Sequence, residues 1–383
     1  MAETFCLFSA LYKPSVGGVE KYTENLAAAL VAQGHRVVII TEDVFNKPTH
    51  EIDDNGVELV RLPARSALGG RYPLPAKGNE RQQLIERFAG LADYVVVNAR
   101  FYPLSLQGLA FASSRGIRPI LIEHGSAHLT LGSPLLDPAV EIIEHAMARK
   151  TRAYQPAYYG VSEEATCWLS HFGIQGTGVL PNAIDADAFL AQASPRPWRS
   201  ELGIEPDDFL VAFTGRLIPE KGIAHLVEAA TRLADNPHVK FAIAGSGPLE
   251  DQVRRKLPDN MQLVGSLNSP DVASLLQASD AFCLPTRSEG FSTSLLEAAA
   301  ARTTPIMPRV GGVAELMPDE QYGMMLPSTS AAAIAHAITE LEGHRDRARA
   351  MGAAIAQRVR SCYSWKATAE AVTAACKLAQ AEA

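Results

Sequence analysis

The sequence has few cysteines, no long hydrophobic run and no excess of basic residues, and each shortage excludes a class of protein. The cysteines form no Cys-x-x-Cys pair, so neither a disulfide framework nor a zinc site is predicted. No apolar run approaches the ~18 residues that a membrane-spanning helix needs, and the N-terminus lacks the basic region of a signal peptide. We therefore expect a cytoplasmic protein in a reducing compartment, with contact to the inner membrane face left open. The five cysteines are Cys6, Cys167, Cys283, Cys362 and Cys376.

The charge balance argues against nucleic acid as a partner. Asp and Glu number 42 against 35 Lys and Arg, which gives a net charge of -7, whereas nucleic-acid-binding domains usually carry a basic excess. Hydrophobic residues make up 47% and charged residues 20% of the chain, an ordinary globular composition that excludes disorder. A length of 383 residues predicts two or three domains.

Short apolar runs alternate with segments of helical periodicity in both halves of the chain. This rhythm is typical of parallel βαβ units and predicts an α/β protein with two doubly wound, Rossmann-like domains. Such sheets bind ligands outside the carboxyl ends of their strands, so the cleft between the domains is the expected site. The predicted strands are Phe5–Leu11, Arg36–Thr41, Tyr94–Asn98, Pro119–Glu123, Phe209–Thr214, Val239–Ala244, Gln262–Val264, Ala281–Pro285, Thr304–Pro308 and Gly323–Leu326.

The stretch 185–206 interrupts the rhythm and contains three prolines, which favours a linker. We expect a first domain over residues 1–190 and a second over residues 191–363. The C-terminal helix, residues 364–383, is expected to pack back onto the first domain.

Two cations follow the first predicted strand of the second domain. Arg216 and Lys221 lie in the turn between that strand and a helix, where fixed cations and helix amides suit a diphosphate. A solvated turn with incidental charges is the alternative. Gly245 and Gly247 follow the next strand, but Glu250 occupies the third position of a dinucleotide fingerprint, which disfavours an NAD-dependent dehydrogenase.

The densest group of polar residues is the segment 288–297, in which Glu289 and Glu297 are separated by seven residues. Carboxylates there can hold sugar hydroxyls, and amides at the start of the following helix can hold an anion. Ordinary helix capping by acidic residues is the alternative.

Several motifs occur in an order that resembles a known family. They are Gly17-Gly18-Val-Glu20, Pro181-Asn182-Ala-Ile-Asp185, Gly215-Arg216-Leu217 with Lys221-Gly222, Gly245-Ser-Gly247-Pro248, and Glu289 with Glu297. The family comprises the retaining glycosyltransferases with two Rossmann-like domains, the GT-B architecture, including bacterial mannosyl-, glucosyl- and N-acetylglucosaminyltransferases and sucrose-phosphate synthases.

The resemblance implies a role for each matching position. The second domain would bind a UDP- or GDP-linked sugar, with Arg216 and Lys221 on the diphosphate, Glu297 on the ribose and Glu289 on the transferred sugar. The sugar would also contact the backbone of the segment Gly290, Phe291, Ser292 and Thr293 and, in the first domain, His124, which could equally be a structural histidine. The other implied donor contacts are Gly17, Gly18, Asn182, Gly215, Gly245, Gly265 and Ser266.

The resemblance also implies retention of anomeric configuration and no cofactor beyond the nucleotide sugar. No acidic cluster with metal-ligand spacing stands beside the phosphate candidates, so we expect no metal. Ala183 stands where the family often has glycine, and the strand end at Asn98 lacks the family's frequent histidine. We therefore predict that the first domain has an acceptor pocket of its own kind, different from those of the family, and lined by Asn98, Arg100 and Tyr102.

Basic residues are concentrated between Arg61 and Arg118, where nine Lys and Arg face three acids, a local excess of +6. A solvated face is one interpretation. The other is attraction to an anionic membrane or to a lipid-linked, phosphorylated acceptor. The glycine- and proline-containing stretch 65–81 is expected to be a mobile loop. Arg65, Arg71, Lys77, Arg81 and Arg87 are the residues we expect to face such a partner.

The leading hypothesis is therefore a glycosyltransferase that acts on a saccharide, lipid-linked or small-molecule acceptor. A sugar-nucleotide epimerase of the same architecture and a non-catalytic nucleotide-sugar-binding protein are the alternatives. Turnover with and without acceptor discriminates among the three.

Overall fold

The computed structural model of the protein describes residues 2–15, 17–67, 72–130 and 136–382. The chain divides into two compact units, one formed by Met1–Asn182 with Trp365–Ala383 and the other by Ala183–Ser364. The divisions fall near the expected boundaries of 190 and 363. Within the described ranges, no helix is both long enough and apolar enough to cross a membrane.

The first unit is built on a mainly parallel sheet. Its strands run in the order β3-β4-β2-β1-β6-β7-β8-β9, with β5 paired to β4. The β3-β4 and β4-β5 pairs are antiparallel. The strands are β1 (Thr4–Ser9), β2 (Arg36–Asp43), β3 (His50–Ile52), β4 (Glu58–Ala67), β5 (Tyr72–Pro75), β6 (Tyr94–Asn98), β7 (Ile120–Glu123), β8 (Ala157–Gly160) and β9 (Gly178–Val179).

Helices connect these strands as βαβ units require. They are α1 (Gly18–Ala32), α2 (Glu80–Ala89), α3 (Pro103–Ser114), α4 (Asp137–Arg152) and α5 (Glu163–Trp168), and a 3₁₀ turn at Leu169–Phe172 follows α5.

The second unit contains a wholly parallel sheet with the strand order β12-β11-β10-β13-β14-β15. The strands are β10 (Phe209–Thr214), β11 (Val239–Ala244), β12 (Met261–Gly265), β13 (Ala281–Cys283), β14 (Thr304–Pro308) and β15 (Met324–Leu326). Numbered within the unit this is the order 3-2-1-4-5-6 of a doubly wound fold, and the direction of winding reverses between β10 and β13.

The helices of this unit lie between and after its strands. They are α6 (Ala186–Ala191), α7 (Trp198–Glu201), α8 (Ile223–Arg232), α9 (Glu250–Arg255), α10 (Ser269–Ala278), α11 (Thr293–Ala300), α12 (Val313–Leu316), α13 (Ala331–Gly343) and α14 (Arg345–Cys362), with a 3₁₀ turn at Pro219–Lys221. The chain then returns to the first unit with α15 (Trp365–Ala381), which packs against α1, β6 and β7.

The strands form because their residues are apolar on both faces. Every residue of β10 is buried, as is every residue of β14 and β7, the pattern of parallel strands covered by helices on both sides. The predicted two-domain α/β fold is confirmed. Four strands also begin and end at the predicted residues, namely those at 209–214, 239–244, 304–308 and 94–98.

Two expectations about irregular segments were wrong. The stretch 185–206 is not a linker, because it contains α6 and α7, and Trp198 is buried with its Nε1 donating to Ser274 Oγ at 2.8 Å. A buried indole anchors that stretch to the second unit. The expected mobile loop over 65–81 holds an antiparallel β4-β5 ladder and the start of α2 in its described part.

Candidate functional site

The loops that follow β10 and β13 carry the central pair of charges in the second unit. Lys221 ends the 3₁₀ turn after β10, and its Nζ forms an ion pair with Glu289 Oε1 in the loop after β13. Both side chains are mostly buried, with 21% and 12% of their surfaces exposed. β10 and β13 are the neighbouring strands at which the winding reverses, the place where doubly wound sheets bind ligands.

A glycine lets these two loops approach each other. Gly222 has a φ of 72°, and a Cβ built on it would lie 2.0 Å from the carbonyl oxygen of Pro285. A residue with a side chain would therefore push the Lys221 turn away from the β13 loop. Gly222 therefore has a packing role, which its place in the Lys-Gly motif does not reveal.

Hydrogen bonds to one carbonyl group fix the β13 loop. The buried Thr286 donates from Oγ1 to the backbone oxygen of Glu220 at 3.0 Å, and the amide of Arg287 donates to the same oxygen at 2.9 Å. These bonds position Glu289 beside Lys221. Thr286 could not be predicted from the sequence, because no motif marks a threonine whose partner is the backbone of a distant turn.

The glycines after β11 serve the neighbouring loop in the same way. Gly245 has a φ of 150°, and a Cβ there would lie 1.8 Å from the carbonyl oxygen of Gly215. The amide of Gly245 donates to the oxygen of Gly265 at the end of β12, at 2.7 Å. The predicted donor residues Gly215, Gly245 and Gly265 are thus in one row of strand ends. Ser266 follows them and is exposed.

Helix capping does not explain the two glutamates. The residue that caps α11 is Ser292, whose Oγ accepts a hydrogen bond from the amide of Leu295 at 3.3 Å. Glu289 precedes the helix, and Glu297 is its fifth residue. Acidic residues interact favourably with the helix dipole only in the first turn, and Glu297 lies beyond that turn. Glu297 is half-buried, so its carboxylate is not an ordinary surface group.

The remaining predicted residues of this loop have different surroundings. Phe291 is buried and its ring lies 5.3 Å from that of Tyr363, so its side chain anchors the loop. Gly290 precedes Phe291 in the loop, and Thr293 is the first residue of α11. The Arg216 side chain is exposed and, among the described residues, has no ion-pair partner.

In the first unit, His124 follows β7 and is held by hydrogen bonds on two sides. Its amide and that of Gly125 donate to Glu123 Oε1, both at 3.1 Å. Its Nε2 lies 2.9 Å from Asn98 Oδ1, and Asn98 Nδ2 donates to Thr23 Oγ1 at 3.1 Å. Since the Asn98 amide nitrogen is the donor to Thr23, the Asn98 oxygen accepts a hydrogen bond from the Nε2–H group, which leaves Nδ1 of His124 as an acceptor.

Burial lowers the pKa of His124 from its ordinary value near 6.5 to about 3. The ring also packs edge-on against Tyr22, with centroids 4.9 Å apart. His124 is therefore a neutral imidazole at physiological pH, suited to hydrogen bonding with a hydroxyl group and unsuited to pairing with a phosphate.

The three residues predicted to line an acceptor pocket differ in exposure. Asn98 is buried and orients His124, as described above. Arg100 is fully buried; it forms an ion pair with Glu123 and stacks over Phe172, 3.8 Å from the ring centroid, so its position is structural. Tyr102 is half-buried, with its ring 5.6 Å from that of Tyr72. Their roles toward an acceptor stay predictions.

The two predicted glycines of this unit lie at the start of α1. Gly17 precedes the helix in an extended conformation and Gly18 is its first residue. Glu20 Oε1 accepts a hydrogen bond from Ser15 Oγ at 3.1 Å, which folds the Glu20 carboxylate back over Gly17. Asn182 is buried at the end of the unit's first segment.

The basic excess of the first unit is largely neutralised, which corrects the expectation that Arg81 faces an anionic partner. Arg81 is buried, because α2 directs it against β2, where its guanidinium donates to both oxygens of Glu42 at 2.5 and 2.8 Å. Arg61, Arg115 and Arg118 are also paired with carboxylates. Arg65, Lys77 and Arg87 are exposed, and Arg71 lies outside the described residues.

Comparison with known proteins matches each half of the chain to a family. Residues 16–188 match the model of Glycosyltransferase Family 4, and residues 195–358 match that of Glycosyl transferases group 1. Together the two segments take in most of both units.

Individual relatives span most or all of the chain. Glycogen synthase of Mycobacterium tuberculosis is 27% identical over an alignment 388 positions long, which covers 94% of this chain and 91% of that protein. The human phosphatidylinositol N-acetylglucosaminyltransferase protein is 24% identical over 338 residues, and the match covers 84% of this chain but only 65% of the human one.

Solved structures show the same fold. Sucrose-phosphate synthase from Thermosynechococcus elongatus gives a TM-score of 0.76 at 20% identity over the full length of both chains. Anabaena HepE in complex with UDP gives a TM-score of 0.74 at 16% identity, over 97% of this chain and 98% of that one.

The lowered pKa of His124 predicts a specific pH dependence of stability. The unfolded chain takes up a proton near pH 6.5, but the folded chain does not until about pH 3, so stability falls as the pH decreases through this window, by up to ~1.4 kcal/mol per pH unit. Urea unfolding at about pH 7 and about pH 5 should show a smaller loss for His124→Gln than for wild type. The exposed His336 gives the control, His336→Gln. Equal losses in wild type and His124→Gln would contradict the buried neutral imidazole.

Proposed function

Since this chain belongs to the group 1 glycosyltransferases of GT-B fold, we propose that it transfers a sugar from a UDP- or GDP-linked donor with retention of anomeric configuration. The second unit binds the donor, and the reaction needs no divalent ion at the diphosphate. A saccharide, a lipid-linked sugar or a small molecule accepts the sugar. The names of the relatives support this range, because they include a polysaccharide synthase, a transferase named for a lipid and a sugar-phosphate synthase.

The ion pair between Lys221 and Glu289 is the observation that supports the donor site best. It joins the loops of the two strands at which the sheet reverses. When a diphosphate binds there, its charge competes with Glu289 for the ammonium group, and the Glu289 carboxylate becomes available to sugar hydroxyls. One contact thus sets both the phosphate and the sugar position.

The other donor contacts follow from their places around this pair. The exposed Arg216 guanidinium offers two parallel donors to phosphate oxygens. The half-buried Glu297 accepts from ribose hydroxyls, and the backbone of residues 290–293 lies at the positive end of α11. The nucleotide base lies near Gly265 and Ser266, at the end of β12.

The proposed step balances without a carboxylate nucleophile. The acceptor hydroxyl oxygen bonds to the anomeric carbon on the face from which the nucleoside diphosphate departs, and the bond from that carbon to the β-phosphate oxygen breaks. The leaving phosphate takes the hydroxyl proton. Lys221 and Arg216 stabilise the charge that develops on the leaving group, and such fixed donors are each worth ~10²–10³ in rate.

Nucleotide binding is the first test. UDP and GDP are titrated into wild type, Lys221→Ala and Glu297→Gln by calorimetry. One of the two nucleotides should bind, and each variant should weaken it by ~1–3 kcal/mol, the size of a hydrogen bond to a charged group. Arg255→Ala, an exposed arginine on α9, is the control and should match wild type.

Binding that is equal in all variants would remove the assignment. Turnover then separates the remaining possibilities: wild type should consume donor rapidly only when acceptor is present. Consumption without acceptor and without hydrolysis would indicate an epimerase, and binding without turnover a non-catalytic protein.

Metal independence is tested by chelation. Transfer should continue in EDTA, and added Mg²⁺ or Mn²⁺ should not raise its rate, because the two cations already offset the leaving-group charge. Loss of activity that only Mg²⁺ or Mn²⁺ restores would contradict the proposal.

Retention is tested on the product. The coupling constant of the new anomeric proton in an NMR spectrum gives the configuration of the glycosidic bond. It should equal that of the donor, since attack and departure share one face. An inverted product would require a base on the opposite face and would refute the proposed step.

A membrane-bound acceptor is supported by the surface of α4. Ile142 and Ile143 are exposed on this helix, by 69% and 53%, and Leu136 just before it by 53%. The last turn of the helix contains Arg149 and Lys150, both exposed. Apolar side chains beside cations suit the interface of an anionic bilayer, and this surface replaces the basic segment of the first unit as the proposed contact.

Flotation with anionic vesicles tests this contact. The double variant Ile142→Ser, Ile143→Ser should bind at least about tenfold more weakly than wild type. Full burial of an isoleucine is worth ~1.5–3 kcal/mol, so even partial insertion of both side chains into the bilayer accounts for such a loss. Leu91→Ser removes an apolar side chain outside α4 that is 80% exposed, and it should have no effect. Failure of wild type to float, or equal flotation of the double variant, would favour an acceptor in solution.

A further inference from the structure

Three histidines from separate parts of the first unit meet at one place. His128 lies in the loop after β7, His145 on α4 and His171 in the 3₁₀ turn after α5. One ring nitrogen of each lies within 4.8 Å of the others. The proposed transfer reaction does not use this cluster. No sequence motif predicts it, since the three residues are far apart in the chain.

The proton on His128 is fixed by a buried carboxylate. His128 Nδ1 lies 2.5 Å from Glu144 Oε2, and the carboxylate can only accept, so Nδ1 carries the hydrogen. The lone pair of the neutral ring is then on Nε2, which lies 3.0 Å from His171 Nε2. A histidine whose other nitrogen donates to a carboxylate is the usual arrangement of a metal ligand.

Aromatic side chains pack around the histidine rings. The His171 ring stacks on Trp168, with centroids 4.7 Å apart and planes at 5°. The Phe172 ring lies 4.8 Å from His145 and 5.7 Å from His128. His145 and His171 are nevertheless exposed, so an ion can enter from solvent.

The buried charges beneath the cluster favour a cation. Arg100 pairs with Glu123, and its second nitrogen lies 3.6 Å from Glu144. All three side chains are at most 3% exposed. One guanidinium against two carboxylates leaves a net charge of −1, which a cation bound to His128 would balance.

We propose that the first unit binds a divalent transition-metal ion of the zinc type through His128, His145 and His171, with Glu144 orienting His128 and a fourth position open to water. Imidazole ligands select zinc-like ions over Mg²⁺ and Ca²⁺. Tetrahedral zinc places its nitrogen ligands about 3.3 Å apart, between the 3.0 Å and 4.8 Å observed here. Rotation of the exposed His145 and His171 side chains closes the difference.

The ion would fix the loop that presents His124. Glu123 both pairs with Arg100 and accepts hydrogen bonds from the amides of His124 and Gly125. The metal therefore ties α4 and the turn after α5 to residues 123–128. This role is structural and separate from the proposed diphosphate site, whose charges come from Arg216 and Lys221.

Zinc binding to protein without a histidine tag tests the site. Protein stripped with EDTA and dialysed is titrated with ZnCl₂ by calorimetry, and bound metal is counted by mass spectrometry. We expect one Zn²⁺ per chain and a higher melting temperature with Zn²⁺. His145→Ala and His171→Ala remove exposed ligands and should each weaken binding about 100-fold or more, and Glu144→Gln by about 10–100-fold.

The exposed His336 on α13 supplies the control, because His336→Ala should bind Zn²⁺ as wild type does. Circular dichroism confirms folding of each variant in EDTA. Absence of stoichiometric binding in wild type, or binding that His145→Ala and His171→Ala leave unchanged, would overturn the proposal. The contact between His128 and His171 would then be an ordinary hydrogen bond. Neither readout depends on sugar transfer, so failure of the proposed function would leave this test intact.

Discussion

The contact between Lys221 and Glu289 is the constraint on which the second unit's site depends. Parallel strands direct all their carboxyl ends to one edge, and the reversal of winding between β10 and β13 leaves room there. The pair can form only because Gly222 admits the carbonyl of Pro285 and because Glu220 holds the β13 loop through Thr286. Backbone packing thus sets the distance between the two charges.

Sequence patterns predicted the strands well because parallel strands covered on both faces are nearly pure apolar runs. The spans 209–214 and 304–308 have no polar face that could be confused with helical periodicity. The same patterns could not show that the 185–206 stretch packs into the second unit, since the anchoring contact of Trp198 with Ser274 joins residues that are distant in the sequence. The number of prolines in a stretch indicates how stiff its backbone is, but it does not show whether the stretch packs against the rest of the domain.

The count of basic residues between 61 and 118 wrongly predicted a cationic surface, again because the decisive contacts join residues that are distant in the sequence. The basic residues between 61 and 118 suggest a cationic surface, but Arg81 and Arg100 are buried against Glu42 and Glu123. A count within a segment cannot include carboxylates supplied by other strands and helices. His128, His145 and His171 are an example of the converse, because separate residues without a motif become a cluster only in the folded chain. The motif positions of the donor site, in contrast, lie on consecutive strand ends, which the sequence order of a doubly wound sheet already implies.

A crystal structure of the protein with UDP or GDP would show whether the nucleotide binds at the Lys221–Glu289 pair. We expect Lys221 Nζ to leave Glu289 and to lie at about 3 Å from a β-phosphate oxygen, with Glu297 on the ribose hydroxyls. A nucleotide bound elsewhere, with the Lys221–Glu289 pair unchanged, would contradict this expectation.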